Sequence, residues 1–111
     1  MVKKPTRYYS NRQERSVAKA IGGRQTANSG ATKFSKGDVR TAQFLIECKT
    51  LTKEQKSMKI QKDWIIKNSE EAFAMNRPYS AISINFGDGE NYYIISEQLF
   101  ITLCELLKEG G

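Results

Sequence analysis

The chain of 111 residues contains no histidine. That absence removes Ser-His-Asp hydrolases, papain-like sites, His-metal nucleases and most zinc chemistry. Any hydrolytic chemistry that is left must run on carboxylates, lysine, a hard metal ion and water. Cysteine is almost as scarce. Its two copies, Cys48 and Cys104, form no CxxC pair and fall on apolar faces, so buried thiols are expected rather than a disulfide or a zinc site. No apolar run approaches the length of a membrane span, and no signal peptide opens the chain. The expectation is a soluble, cytoplasmic protein without a membrane partner.

What is present is ordinary globular material, 39% hydrophobic and 27% charged, enough for one domain over residues 1–111 with a single modest core. The 18 lysines and arginines leave a net charge of +6. A polyanionic partner accounts for that excess, and so does a simple solubility charge.

The most informative stretch is residues 28–50, NSGATKFSKGDVRTAQFLIECKT. Phe44, Leu45, Ile46 and Cys48 make a strand-like apolar run with Glu47 set inside it, where a carboxylate is costly without a cation or donor. Residues i and i+2 of a strand share a face, so Glu47 and Lys49 point one way and Ile46 and Cys48 the other. A hairpin of 38–41 with 44–49, looping at Ala42-Gln43, opposes Thr41 to Phe44, Val39 to Ile46 and Asp38 to Glu47. Opposed Cβ atoms lie roughly 4.5–5.5 Å apart. Two carboxylates that close repel and raise each other's pKa unless a divalent metal sits between them. The spacing therefore reads as a metal site with a lysine beside it. Ala-Gln is poor type I′ chemistry, which leaves a longer symmetric loop or a bulge open.

Gly37-Asp38 followed by Glu47-Cys48-Lys49 resembles the PD-(D/E)xK nucleases, with Gly37 in place of the usual proline. The upstream Asn28-Ser29-Gly30-Ala31 and the closing Glu-Cys-Lys-Thr look most like the archaeal-type Holliday junction resolvases and their phage-encoded relatives. The resemblance spans residues 11–93 at the level of pattern. It implies a restriction-endonuclease-like core, cleavage of DNA, a homodimer, and a glutamate supplied to the site from the first helix.

Along the chain, residues 1–9 carry Lys3, Lys4 and Arg7 and read as a flexible basic arm. Ser10 with Gln13 makes a capping box for a helix over 11–20, whose apolar stripe is Val17, Ala18 and Ile21. Glu14 extends that stripe and so faces inward, as a site residue or as a charge favoured by the helix N-terminus. A short strand over 24–27 begins with Arg24, a substrate-binding candidate. Ser29 positions a phosphate or a water, or is a turn serine. Two basic loops flank the hairpin, 31–36 with Lys33 and Lys36, and 51–59 with Lys53 and Lys56, and both suit substrate contact.

A second helix is expected over 60–76 with Trp64, Ile65, Ala72 and Met75 buried; Gln61 and Lys62 in its first turn reach the site or form a solvated face. A half-buried strand over 82–86, a turn at Gly87-Asp88-Gly89 and a strand over 92–95 follow. Tyr92 and Tyr93 serve base stacking or hairpin packing. Ser96 caps a last helix with Leu99, Phe100, Leu103, Leu106 and Leu107 turned inward. The fold class is α/β, a mixed central β-sheet flanked by helices in the order αβββαββα.

These readings combine into a metal-dependent DNA endonuclease, with branched DNA and the Holliday junction in particular as substrate. Asp38 and Glu47 would hold Mg2+ or Mn2+ with the backbone carbonyl of Cys48. Lys49 would orient the attacking water or neutralise the pentacovalent state, and Glu14 would complete the metal or water shell. The alternative is a basic nucleic-acid-binding module without catalysis, in which Asp38, Glu47 and Lys49 form a surface salt-bridge group.

Overall fold

The computed structural model describes residues 4–26 and 38–110. Three helices surround a five-stranded mixed sheet in the expected order αβββαββα. The elements are α1 (Thr6–Ile21), β1 (Arg24–Gln25), β2 (Asp38–Arg40), β3 (Phe44–Thr50), α2 (Lys62–Ala74), β4 (Tyr79–Asn85), β5 (Asn91–Ile94) and α3 (Glu97–Gly110). The strands lie in sequence order. β1, β2 and β3 form an antiparallel meander, β3 and β4 run parallel with α2 as their crossover, and β5 returns antiparallel to β4.

One face of the sheet carries the apolar core. Val39, Ile46, Cys48 and Ala81 project from β2, β3 and β4 on to Val17 of α1, with Ala18 and Ile21 at the margin. α2 covers β3 and β4 on the other face. With helices on both sides, β4 is buried from Ala81 to Asn85, both faces included, rather than half-buried as alternation suggested. Buried amide side chains pin the parallel β3–β4 pair from each side. On the α1 face, Gln13 Nε2 donates to the carbonyls of Lys49 (3.0 Å) and Ser83 (3.2 Å). On the α2 face, Asn68 Nδ2 donates to those of Leu45 (3.3 Å) and Ala81 (3.0 Å).

These amides explain several departures from expectation. Helix α1 begins at Thr6 after Pro5, whose fixed φ suits a helix start, so residues 6–9 are helical rather than part of an arm. Ser10 is inside the helix and its hydroxyl donates back to Thr6 O (3.5 Å), while Gln13 is spent on the sheet instead of a capping box. In α2 the buried residues are Asn68 and Ala72, whereas Trp64 and Met75 are only half-buried and Ile65 is exposed. A polar residue at the centre of the buried face hides that face from hydropathy. The remaining bounds move by a few residues: β1 ends at Gln25, β4 starts at Tyr79 and β5 at Asn91.

The largest correction concerns α3. Ser96 does cap it, accepting from Leu99 N at 3.1 Å. Only Leu99 is buried, however; Phe100, Leu103, Leu106 and Leu107 are exposed, Leu107 at 76%. Burial is confined to the first turn, and of the later residues Leu103 borders an apolar cavity with Ile46, Ala81 and Ile95 while remaining exposed, so most of the amphipathic stripe is not covered. Cys104 on this helix is half-buried, against the expected burial, while Cys48 is buried. No helix among the described residues is long and apolar enough to cross a membrane.

Candidate metal and nucleic-acid site

The β2–β3 hairpin sets the site. Its tight turn, unpromising as Ala-Gln, is held by the residue before it: Thr41 Oγ1 accepts from Gln43 N (3.1 Å) and Phe44 N (2.9 Å), and Thr41 N donates to Phe44 O (3.0 Å). A threonine hydroxyl thus closes the turn without left-handed residues. The resulting register opposes Asp38 to Glu47, Val39 to Ile46 and Arg40 to Leu45. Asp38 O accepts from Thr26 N (2.8 Å) on the β1 side, so Asp38 and Glu47 form a non-hydrogen-bonded pair, the closer of the two antiparallel kinds. The same alternation turns the peptide groups of Ile46 and Cys48 toward β2. Leu51 N, one odd-numbered step beyond Lys49, donates to Asn85 O on the β4 side, as that alternation requires.

Asp38, Glu47 and Lys49 share the α2 face and line a cavity of about 320 Å3, closed by Gln61, Asp63, Trp64, Lys67 and Glu71 of the α2 segment. Lys49 Nζ lies 3.0 Å from Glu47 Oε2 and 4.7 Å from the centroid of the Trp64 ring. Burial and then the charges of Glu47, Glu71 and Glu14 push the Asp38 carboxyl up from its ordinary 3.8 to about 7, with Lys49 opposing. Below neutral pH a half-buried acid in that condition keeps its proton, which a divalent cation would have to displace.

Glu14 is buried on the opposite, α1 face. It accepts from Gln25 Nε2 (3.2 Å), a residue that stands opposite Val39 and so shares the face of the apolar core. Desolvation raises its pKa, against the Gln25 hydrogen bond and Arg7. Its charge reaches Asp38, but it does not line the cavity. Among the described residues no three acidic, cysteine or histidine side chains gather round one metal position.

Arg24 stands directly opposite Arg40 across β1–β2, on the same face as Asp38 and Glu47. Lys53 and Lys56 are exposed, outside the cavity lining. Their loop is fixed to the β4–β5 turn: Gln55 N donates to Phe86 O (3.0 Å), and a Cβ on Gly87 would come within 2.6 Å of Lys53 O. Tyr92 stacks edge-on against Phe86, ring centroids 5.9 Å apart, which favours its hairpin-packing role. Ser29, Lys33 and Lys36 lie outside the described residues.

Sequence reading missed Trp64, Lys67, Glu71 and Arg40. The α2 residues were legible in part, since Gln61, Trp64, Lys67 and Glu71 recur at intervals of three and four and so share one helical face. Trp64 was assigned to the core because it is apolar.

The oxygen donors fit a hard cation. Asp38 and Glu47 offer two carboxylates, and the Cys48 carbonyl lies on the β2 side of the strand. The Cys48 thiol is on the other face, and burial and nearby carboxylates push its pKa up, so sulfur takes no part. Mg2+ commonly takes one or two carboxylates and keeps several waters. No family model, curated protein or solved structure matches this chain.

Proposed function

We propose that this protein is a Mg2+- or Mn2+-dependent endodeoxyribonuclease of the PD-(D/E)xK kind, acting on branched DNA and on the Holliday junction in particular. The observation that carries the reading is the cross-strand pairing of Asp38 with Glu47, with Lys49 on the same face of one half-buried cavity. A carboxylate pair in that position, one member with its pKa raised to about 7, is costly to the metal-free fold. A bound cation would relieve that cost.

In this reading Asp38 and Glu47, with the Cys48 carbonyl, would hold the metal, which when bound would supply a water of lowered pKa and positive charge at the phosphate. Lys49 contributes an ammonium to orient that water or to offset charge on the pentacovalent phosphorus. Arg24 and Arg40 suit a neighbouring phosphate. Like charges directly opposed are unfavourable alone, and two guanidinium forks match phosphate oxygens. Lys53 and Lys56 add exposed basic charge, and by sequence Lys33 and Lys36 are further cations and Ser29 a hydroxyl for phosphate or water. Glu14, across the sheet, acts on the site through its charge. A homodimer would give a two-fold substrate its two sites, and exposed Phe100, Leu106 and Leu107 of α3 offer apolar surface for pairing.

The 3.0 Å Glu47–Lys49 ion pair favours a second reading, a DNA-binding module without catalysis. Labelled four-way junction, flap and duplex DNA incubated with Mg2+, Mn2+ or EDTA separates the two. Cleavage with metal and none in EDTA is expected; cleavage that persists in EDTA, or binding without cleavage under both metals, rejects the nuclease.

A further inference from the structure

We propose that Trp64 is a positioning residue, holding the Lys49 ammonium inside the Asp38–Glu47 cavity by its indole face. The inference takes its catalytic meaning from the nuclease reading; the contact itself stands on geometry. Among the described residues Lys49 Nζ has two partners, Glu47 Oε2 at 3.0 Å and the Trp64 ring, whose centroid is 4.7 Å away. The second distance is well inside the range of cation–π attraction.

Lysine is a compact charge on a flexible four-carbon stem, so an ammonium needed at one place must be held there. Glu47 serves that purpose poorly in a loaded site. Its carboxylate is the charge a divalent cation would draw upon, and that cation repels the ammonium. The attraction of the indole quadrupole does not depend on Glu47. It keeps Lys49 in the cavity when Glu47 is engaged, within reach of a substrate phosphate.

Core packing does not explain Trp64. It is half-buried, and the buried residues of α2 are Asn68 and Ala72. Base stacking on the cavity side does not explain it either, since the ammonium covers that ring face.

Trp64 is the chain's only tryptophan, so its emission reports the contact without any assay of activity. Lys49→Met should shift the emission of Trp64 in EDTA, while Lys108→Met on α3 should leave it unchanged. In cleavage with Mg2+, Trp64→Leu should lower kcat roughly two- to thirty-fold, the range expected for loss of a cation–π contact. KM, the melting point and Mg2+ affinity by calorimetry should stay near wild type. Trp64→Phe, which keeps an aromatic face, should restore most of the rate. Emission unaltered by Lys49→Met overturns the proposal, as does wild-type cleavage by Trp64→Leu. Equal losses of rate and stability in both Trp64 variants would also overturn it, by showing a role in bulk packing. If the wild type cuts no DNA under either metal, the nuclease reading fails, and the emission comparison alone decides whether Trp64 holds Lys49.

Discussion

The two faces of β3 put one strand to opposite uses. Toward α1, Ile46 and Cys48 sit in a close apolar core with Val17 and Val39. Toward α2, Glu47 and Lys49 border a polar cavity in which acidic groups crowd one another. Side chains one residue apart thus face an apolar core and a polar cavity separately. The polar face costs stability, and the apolar face and the pinned β3–β4 pair offset it.

The contrast is sharpest in a pair of neighbouring substitutions. Ile46→Ala should cost about 2–5 kcal/mol by thermal or urea unfolding, because Ile46 is almost fully buried. Glu47→Gln should leave the metal-free protein as stable or more so, since like-charge repulsion is relieved. It should nevertheless lower Mg2+-dependent cleavage on the order of 100-fold or more. Marked destabilisation by Glu47→Gln in EDTA would mean that the carboxylate serves only the Lys49 ion pair.

The polar face should also set the pH response. The folded-state pKa of Asp38 is raised above its ordinary 3.8 to about 7, so the native state holds a proton that the unfolded chain releases. Its contribution to stability is complete below about pH 4 and is lost as pH rises through about 7. Melting in EDTA should therefore show the wild type losing on the order of 2–4 kcal/mol between pH 4 and 8 from this group. Asp38→Asn should flatten that slope. Glu14 shifts in the same direction, so a residual slope should remain.

Glu14 tests whether the faces communicate. Glu14→Gln should keep the fold and DNA binding and lower the Asp38 pKa, moving the pH dependence of cleavage toward acid, if its charge acts on Asp38 through the sheet. An unchanged pH profile of cleavage would confine Glu14 to the α1 face.

Beyond the cavity, effects should be smaller. Arg40→Ala should reduce the steepness of log affinity against log salt by about one unit on junction DNA, with Lys53→Ala as a parallel case. Salt-insensitive binding would reject both assignments. Smallest of all, Leu107→Lys should change stability by no more than about 0.5 kcal/mol, given its exposure. A loss of 2 kcal/mol or more by this variant would restore the inward orientation that its hydropathy suggests.

Much of the fold was legible because local pattern and topology agree. Alternation and the spacing of Asp38 and Glu47 define the hairpin register, and Ser96 marks the start of α3. What escaped was tertiary. Nothing in the spacing of Gln13 or Asn68 announces that each reaches carbonyls of two strands, so one was read as a cap partner and the other passed over. Hydropathy assigned Trp64 and the α3 leucines to the core, but it measures what a side chain prefers, and available partner surface decides where it ends up. Arg40 was missed because the register pairing it with Arg24 depends on β1, whose return lies outside the local pattern.

The Gln13 bridge has a kinetic corollary. Its acceptors on β3 and β4 lie 36 and 70 residues away, and β4 must cross over through α2 before the Ser83 carbonyl comes into place. Closing so long a loop is entropically costly, so the bridge belongs to the late side of the folding barrier. A hairpin residue such as Val39 needs only the chain around one turn. Refolding should therefore run outward from the β2–β3 hairpin, and α1 should lock on to the sheet only after the parallel strand has arrived.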